Sequence, residues 1–226
     1  SAASLQWWAG DAVKNAPGFR IIGGRGWGQG PQHSNNHRRA WEQIPSCKVM
    51  EPYNAETAYY ALGHLLKSQC LGFLIENRWL FDRVDGGPMK ERATAALALP
   101  TQYVIEASGS EVVEAEIAAE RLAQEQIGVV VVPHVTHYNT TDFPVGSVRI
   151  VGLHPRSIMA VRAIVPSSRF LYPSFPVPSS PALSRHCYLR WQHIYNRIME
   201  LERRDKREAI PDDWNDQPNK VWKGPF

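Results

Sequence analysis

Residues 48–76, KVMEPYNAETAYYALGHLLKSQCLGFLIE, hold the pattern on which the fold turns. Lys48–Glu51 reads as a strand, Pro52, Tyr53 and Asn54 punctuate it, and Asn54 is placed to cap a helix. Ala55, Ala58, Tyr59, Leu62, Leu65 and Leu66 then recur at helical spacing to about Ser68, giving an apolar face to bury. Leu71–Glu76 is a second strand, so the stretch reads strand, helix, strand. Upstream, Phe19–Ile22 reads as a further strand, followed by a glycine-rich run over 23–31 and a short helix from about Ser34 to Gln43. Right-handed crossovers join parallel strands through helices, so β-α-β-α-β predicts a parallel sheet.

The pattern restarts downstream. Gln102–Ala107 reads as a strand, and Ser110 is placed to cap a helix to about Gln126 with Val113, Ile117 and Leu122 on one side. Ile127–Val132 is apolar at nearly every position, the mark of a strand covered on both faces. Pro144–Leu153 reads as a short helix and Ser157–Val165 as another strand. The predicted fold class is α/β, with two βαβ-type parallel-sheet units over 1–83 and 101–165 joined by a linker at 84–100. Pro166, Pro173, Pro176, Pro178 and Pro181 hold 166–183 as an extended arm. Residues 184–226 carry a basic amphipathic helix over Ser184–Glu208 and an extended tail. Within that helix Cys187, Trp191, Ile194, Ile198 and Leu201 form a narrow apolar seam that meets either the chain's own domain or a partner.

The chain has 226 residues, 43% hydrophobic and 21% charged, enough to build a core and unlike a disordered chain. No apolar run approaches the ~18 residues of a membrane-spanning helix. Cys47, Cys70 and Cys187, without C-x-x-C spacing, argue against a disulfide framework and a zinc site and point to a reducing compartment. The formal charge of +3 is concentrated in Ser184–Glu208, where Arg185, Arg190, Arg197, Arg203, Arg204, Lys206 and Arg207 outnumber Glu200, Glu202, Asp205 and Glu208. Of eight tryptophans, Trp7, Trp8, Trp214 and Trp222 lie in terminal segments with little core to enter, which favours protein contacts. Trp191, Ile194, Ile198, Leu201, Arg203, Arg204, Trp214 and Trp222 are therefore the expected partner-binding residues. RNA phosphates are an alternative target of the basic helix.

Few residues point to chemistry. Gly24-x-Gly26-x-Gly28 does not fit G-x-G-x-x-G, and no G-K-[ST] follows, so the run reads as a sharply bent loop. His33 and His37, and His134 and His137, have helical or loop spacing without an evident third metal ligand. Glu76 ends an apolar strand, where a carboxylate either faces a cleft or is held by hydrogen bonds.

The run Gly23–Asn35, followed by Ala40-Trp41, Ile44-Pro45, Lys48-Val49 and Pro52, resembles the β subunits of thiamine diphosphate-dependent 2-oxo acid dehydrogenases. Leu74-Ile75-Glu76-Asn77 is similar to their following "hh-E-N" strand, and Gln102–Val132 to the start of their C-terminal domain. The resemblance covers roughly 17–165 and is most specific over 23–77. It implies a partial pyrimidine-binding domain and a partial transketolase-type C-terminal domain. His33 matches the family's active-site histidine. Asn35 stands where glutamine is usual and Ser46 where glycine is usual, and the glycine run has an extra residue. The glutamate that activates the cofactor lies, in the family, before the part that this chain matches, so no cofactor is expected in this chain alone.

The resemblance implies a non-catalytic structural subunit of a larger assembly, in the mitochondrion or otherwise the cytoplasm, with other protein subunits covering the truncated sheet. Its enzyme alternative is half of a split β subunit completed by a partner chain, with thiamine diphosphate and Mg²⁺ as cofactors. A third reading is a ribonucleoprotein component attached through the basic helix.

Overall fold

The computed structural model describes residues 17–23, 38–42, 44, 47–68, 70–81, 99–136, 148–152, 169–171 and 190–209. The first unit comprises β1 (Gly18–Gly23), α1 (Arg38–Glu42), β2 (Lys48–Met50), α2 (Ala55–Lys67) and β3 (Gly72–Asn77), followed by a 3₁₀ turn at Arg78–Leu80. Its strands are all parallel in the order β1-β3-β2. Central β3 is apolar on both faces because each face is covered: Leu74 packs with Met50, Ala61 and Leu65, and Ile75 with Cys47, Val49 and Leu71. Trp41 of α1 stacks on Phe73 at 4.6 Å between ring centroids. Gly72 lets α2 approach closely, since a Cβ there would collide with the Leu65 side chain.

α2 begins where the sequence places it. Asn54 Oδ1 accepts from the Thr57 N–H at 2.8 Å, and Thr57 Oγ1 accepts from the Asn54 N–H at 3.1 Å, a reciprocal capping box. The apolar face expected of this helix is divided, however. Only Ala61 and Leu65 are buried, while Tyr59, Tyr60, Leu62 and Leu66 face outward.

The second unit comprises β4 (Thr101–Ala107), α3 (Ser110–Gln124), β5 (Gly128–Pro133), β6 (Val148–Gly152), β7 (Arg169–Leu171) and α4 (Trp191–Leu201). Its parallel strands run in the order β5-β4-β6-β7. The larger core lies here, with Ile105 of the sheet, Val112, Ala115 and Leu122 of α3 and Ile127 of the turn between α3 and β5 packed against Ile194, Tyr195, Ile198 and Met199 of α4.

Several expectations are corrected. The helix read over 144–153 is a strand at 148–152, because Val148, Ile150 and Val151 are β-branched and the free edge of β4 offers the segment backbone partners from Tyr103 to Glu106. The arm at 166–183 is not wholly outside the sheet: residues 169–171 pair with β6. Ser110 is not the cap of α3; Gly109 is, at φ +54°, where a side chain would also collide with Glu51 and Asn77. The basic helix read to Glu208 ends at Leu201. Arg203 adopts the left-handed conformation at φ 56°, and Arg204 and Arg203 donate backbone N–H groups to the carbonyls of Met199 and Glu200, a Schellman closure. The strand expected at Ser157–Val165 lies outside the described residues.

Candidate functional site at the carboxyl ends of the strands

Ligand crevices of open parallel sheets lie beyond the carboxyl ends of the strands. Here the ends of β2, β3 and β4 converge on Glu51. Its carboxylate accepts from Asn77 Nδ2 at 2.8 Å, Arg38 Nη1 at 3.3 Å and Ser108 Oγ at 3.4 Å. Arg38 also donates to Glu42 at 2.7 Å, and Ser110 Oγ donates to Asn77 Oδ1 at 3.3 Å. The Glu51 backbone N–H donates to the Val135 carbonyl at 2.7 Å, which ties the end of β2 to the loop after β5. Arg38, Glu51, Asn77 and Ser108 are all buried. A buried charge is tolerated only when paired and hydrogen-bonded, and Glu51 meets both conditions at the positive end of α3.

Beside this junction, His134 Nε2 lies 3.0 Å from Glu106 Oε1, both groups buried at the ends of β5 and β4. An open cavity of about 310 Å³ lies at the end of β3 and the start of α2, lined by Pro52, Tyr53, Ala58, Leu80, Phe81 and the Arg20–Glu76 ion pair. That pair closes at 2.6 Å, so Glu76 both faces a cleft and has its charge compensated. Burial, then the nearby Glu116 and Glu56, push the Tyr53 hydroxyl above its ordinary value. Burial and Glu42 likewise push the Cys47 thiol up, so it is a packing residue with little thiolate character.

The residues expected from sequence divide into those that are described and those that are not. His33, Trp214 and Trp222 lie outside the described residues, as do His37 and His137. Ile194 and Ile198 are fully buried against α3 and the sheet, and Trp191 and Leu201 pack on the same core. Of the two burials left open for this seam, the described structure shows packing on the chain's own domain, because the seam is the width of one helix contact and α3 supplies it. Glu114 completes the contact by accepting from the Trp191 N–H at 2.7 Å, and Arg121 lies over the Trp191 ring at 5.5 Å. Arg203 is exposed. Arg204 donates to the Glu125 carbonyl at 2.8 Å and Lys206 pairs with its carboxylate, two cations at the negative end of α3. The hydrogen bond from Lys206 holds the Glu125 carboxyl below its usual range.

Sequence reading missed Glu51, Arg38, Asn77, Ser108 and Glu106. The rule that singled out Glu76 as a carboxylate closing an apolar strand applies equally to Glu51, and Glu106 is the lone acid in the apolar run Tyr103–Ala107. Arg38 and Ser108 had no local signal, since tertiary contact alone brings them together.

No family model matches the chain, and no curated protein matches it. Solved structures do. A split-gene transketolase, described as an inactive β4 tetramer, matches with a TM-score of 0.56 at 13% identity, over 88% of this chain and 73% of that one. Transketolase from Campylobacter jejuni matches with a TM-score of 0.59 at 15% identity, over 81% of this chain and 31% of its own. The fold is transketolase-like. Transketolase from Leishmania mexicana agrees, with a TM-score of 0.57 at 20% identity over 92% of this chain. The chain spans about a third of the length of these two transketolases, at 31% and 34%. At such identities the transketolase likeness is one of fold, and it accounts for the two parallel-sheet units and their order.

Proposed function

We propose that this chain is a non-catalytic structural subunit of a larger assembly, derived from the β subunits of 2-oxo acid dehydrogenases. The supporting observation is the junction at the strand ends. The place where an open parallel sheet usually receives a ligand is filled by Arg38, Glu51, Asn77 and Ser108, which bond to one another. Such a constellation ties the ends of β2, β3 and β4 together, and among the described residues its carboxylates and its arginine are engaged with one another. The charges of the neighbouring cavity, Arg20 and Glu76, are likewise paired with each other.

The split-gene transketolase supports a second reading, in which the chain is part of a divided thiamine diphosphate-dependent enzyme and works only with a partner chain. The described residues do not fit the Mg²⁺ that would bind the diphosphate: they include no group of three or more His, Cys, Asp or Glu side chains that could hold a metal ion. On this reading the partner holds the metal and diphosphate, and His33 serves the reaction by family resemblance. Attachment to RNA has less support, since Arg204 and Lys206 are engaged by Glu125.

Calorimetric titration of the full chain with thiamine diphosphate and Mg²⁺, alone and with its co-purifying proteins, separates the two. The structural reading expects no heat of binding in either arm, and binding that appears only with a partner overturns it in favour of the divided enzyme. Cell fractionation tests the mitochondrial setting, which rests on the resemblance.

A further inference from the structure

α2 carries two apolar seams. Ala61 and Leu65 face the sheet, whereas Ala55, Tyr59, Leu62 and Leu66, spaced 4, 3 and 4, follow one another along the outward side. Tyr59 is 76% exposed, Leu66 77%, Tyr60 65% and Leu62 40%. A contiguous apolar stripe of this kind on a folded surface marks an interaction site. Its spacing is that of a helix packed lengthwise on another helix.

The charges and the glycine specify which helix. Glu56 stands at the start of the stripe and Lys67 at its end, and among the described residues neither is in an ion pair. A second α2 laid parallel would set Glu56 beside Glu56 and Lys67 beside Lys67. Laid antiparallel about a two-fold axis near the middle of the helix, it sets Glu56 of each copy beside Lys67 of the other, and the two helix dipoles oppose favourably. Gly63 lies near that axis, and a Cβ built there meets nothing within 4 Å. The gap admits the Tyr59 and Tyr60 rings of the facing copy. Such a surface is self-complementary, as a two-fold interface requires.

We propose that the outward face of α2 is the surface on which two copies of this chain pair, antiparallel helix to antiparallel helix. This deepens the subunit reading and rests on it, by naming the first partner as a second copy.

Sedimentation equilibrium of the full chain tests it. The wild type is expected to dimerise, and Tyr59→Ser/Leu66→Ser to be monomeric with an unchanged far-ultraviolet spectrum, since neither side chain supports the core. Lys67→Glu turns two attractive pairs repulsive and is expected to weaken dimerisation by about tenfold. Glu56→Lys/Lys67→Glu restores opposite charges across the two-fold axis and is expected to recover the wild-type dissociation constant. A wild type that is monomeric at every concentration, a dimer indifferent to Tyr59→Ser/Leu66→Ser, or a double exchange that fails to recover each overturns the proposal. The subunit reading fails by a different measurement, partner-dependent cofactor binding, which leaves the dimer constant untouched.

Discussion

α2 and α4 are both amphipathic helices flanking a parallel sheet, and they use their apolar residues in opposite ways. In α4, Ile194 and Ile198 are fully buried against α3 and the sheet, and the seam ends inside the chain. In α2, Leu65 is buried, but Leu66 and Tyr59 next to the same core face outward. The basic helix packs its apolar seam into the chain's own core, and the helix whose apolar face was expected to be buried leaves half of it outward. Sequence spacing shows that a stripe must be buried. It does not say by what, because the answer depends on which neighbour the topology brings alongside.

Four experiments break or sharpen this contrast. The largest effect is expected at the junction that anchors the segment leading into α2. Glu51→Ala takes from Arg38 one of its two buried carboxylates, Glu42 being the other, and leaves the Asn77 amide and the Ser108 hydroxyl without their acceptor, a loss of about 3–5 kcal/mol in chemical denaturation. A loss below about 1 kcal/mol would mean that water reaches Arg38 and that the junction is open.

Next comes the contrast itself. Ile198→Ala removes a fully buried side chain of α4 and is expected to cost about 2–5 kcal/mol. Leu66→Ala on α2, measured where the chain is monomeric, is expected to stay within about 0.5 kcal/mol. Equal losses would erase the distinction between the two helices. A smaller effect is expected at the start of α2, where Asn54→Ala removes the cap acceptor and should lower stability by about 1 kcal/mol, read from the denaturation midpoint.

The smallest concerns the segment that follows α4. The Glu125 carboxyl is held below its ordinary value of 4.5 in the folded chain, chiefly by the Lys206 hydrogen bond. Its contribution is therefore complete above that value and fades as pH falls below it through the lowered pKa. Hydrogen exchange at the Arg204 amide is expected to quicken over that acidic window relative to the Ile198 amide, and Glu125→Gln should abolish the pH dependence. An unchanged ratio would mean that Lys206 does not hold the segment in solution.

Much of the fold was legible. β1, β2, β3, β4 and β5 lie where apolar runs and punctuation place them, because a strand covered on both faces leaves a dense local signal. The Asn54 cap was equally local, written within four residues. β6 and β7 were not legible, since a short β-branched run becomes a strand only when a neighbouring edge accepts its backbone. Of the site, Glu76 was found and Glu51 was not, although both end apolar strands. What distinguishes Glu51 is Arg38, Asn77 and Ser108, gathered from three separate segments.

The amino-acid sequence by itself determined the α/β class, the positions of five strands along the chain and the boundaries of α2, because periodicity, caps and punctuation act over a few residues. Tertiary structure alone decided which helix turns its seam inward and where the carboxylates meet. Those outcomes depend on contacts between residues far apart in the chain: α4 packs on α3, and the ends of β2, β3 and β4 close around Glu51.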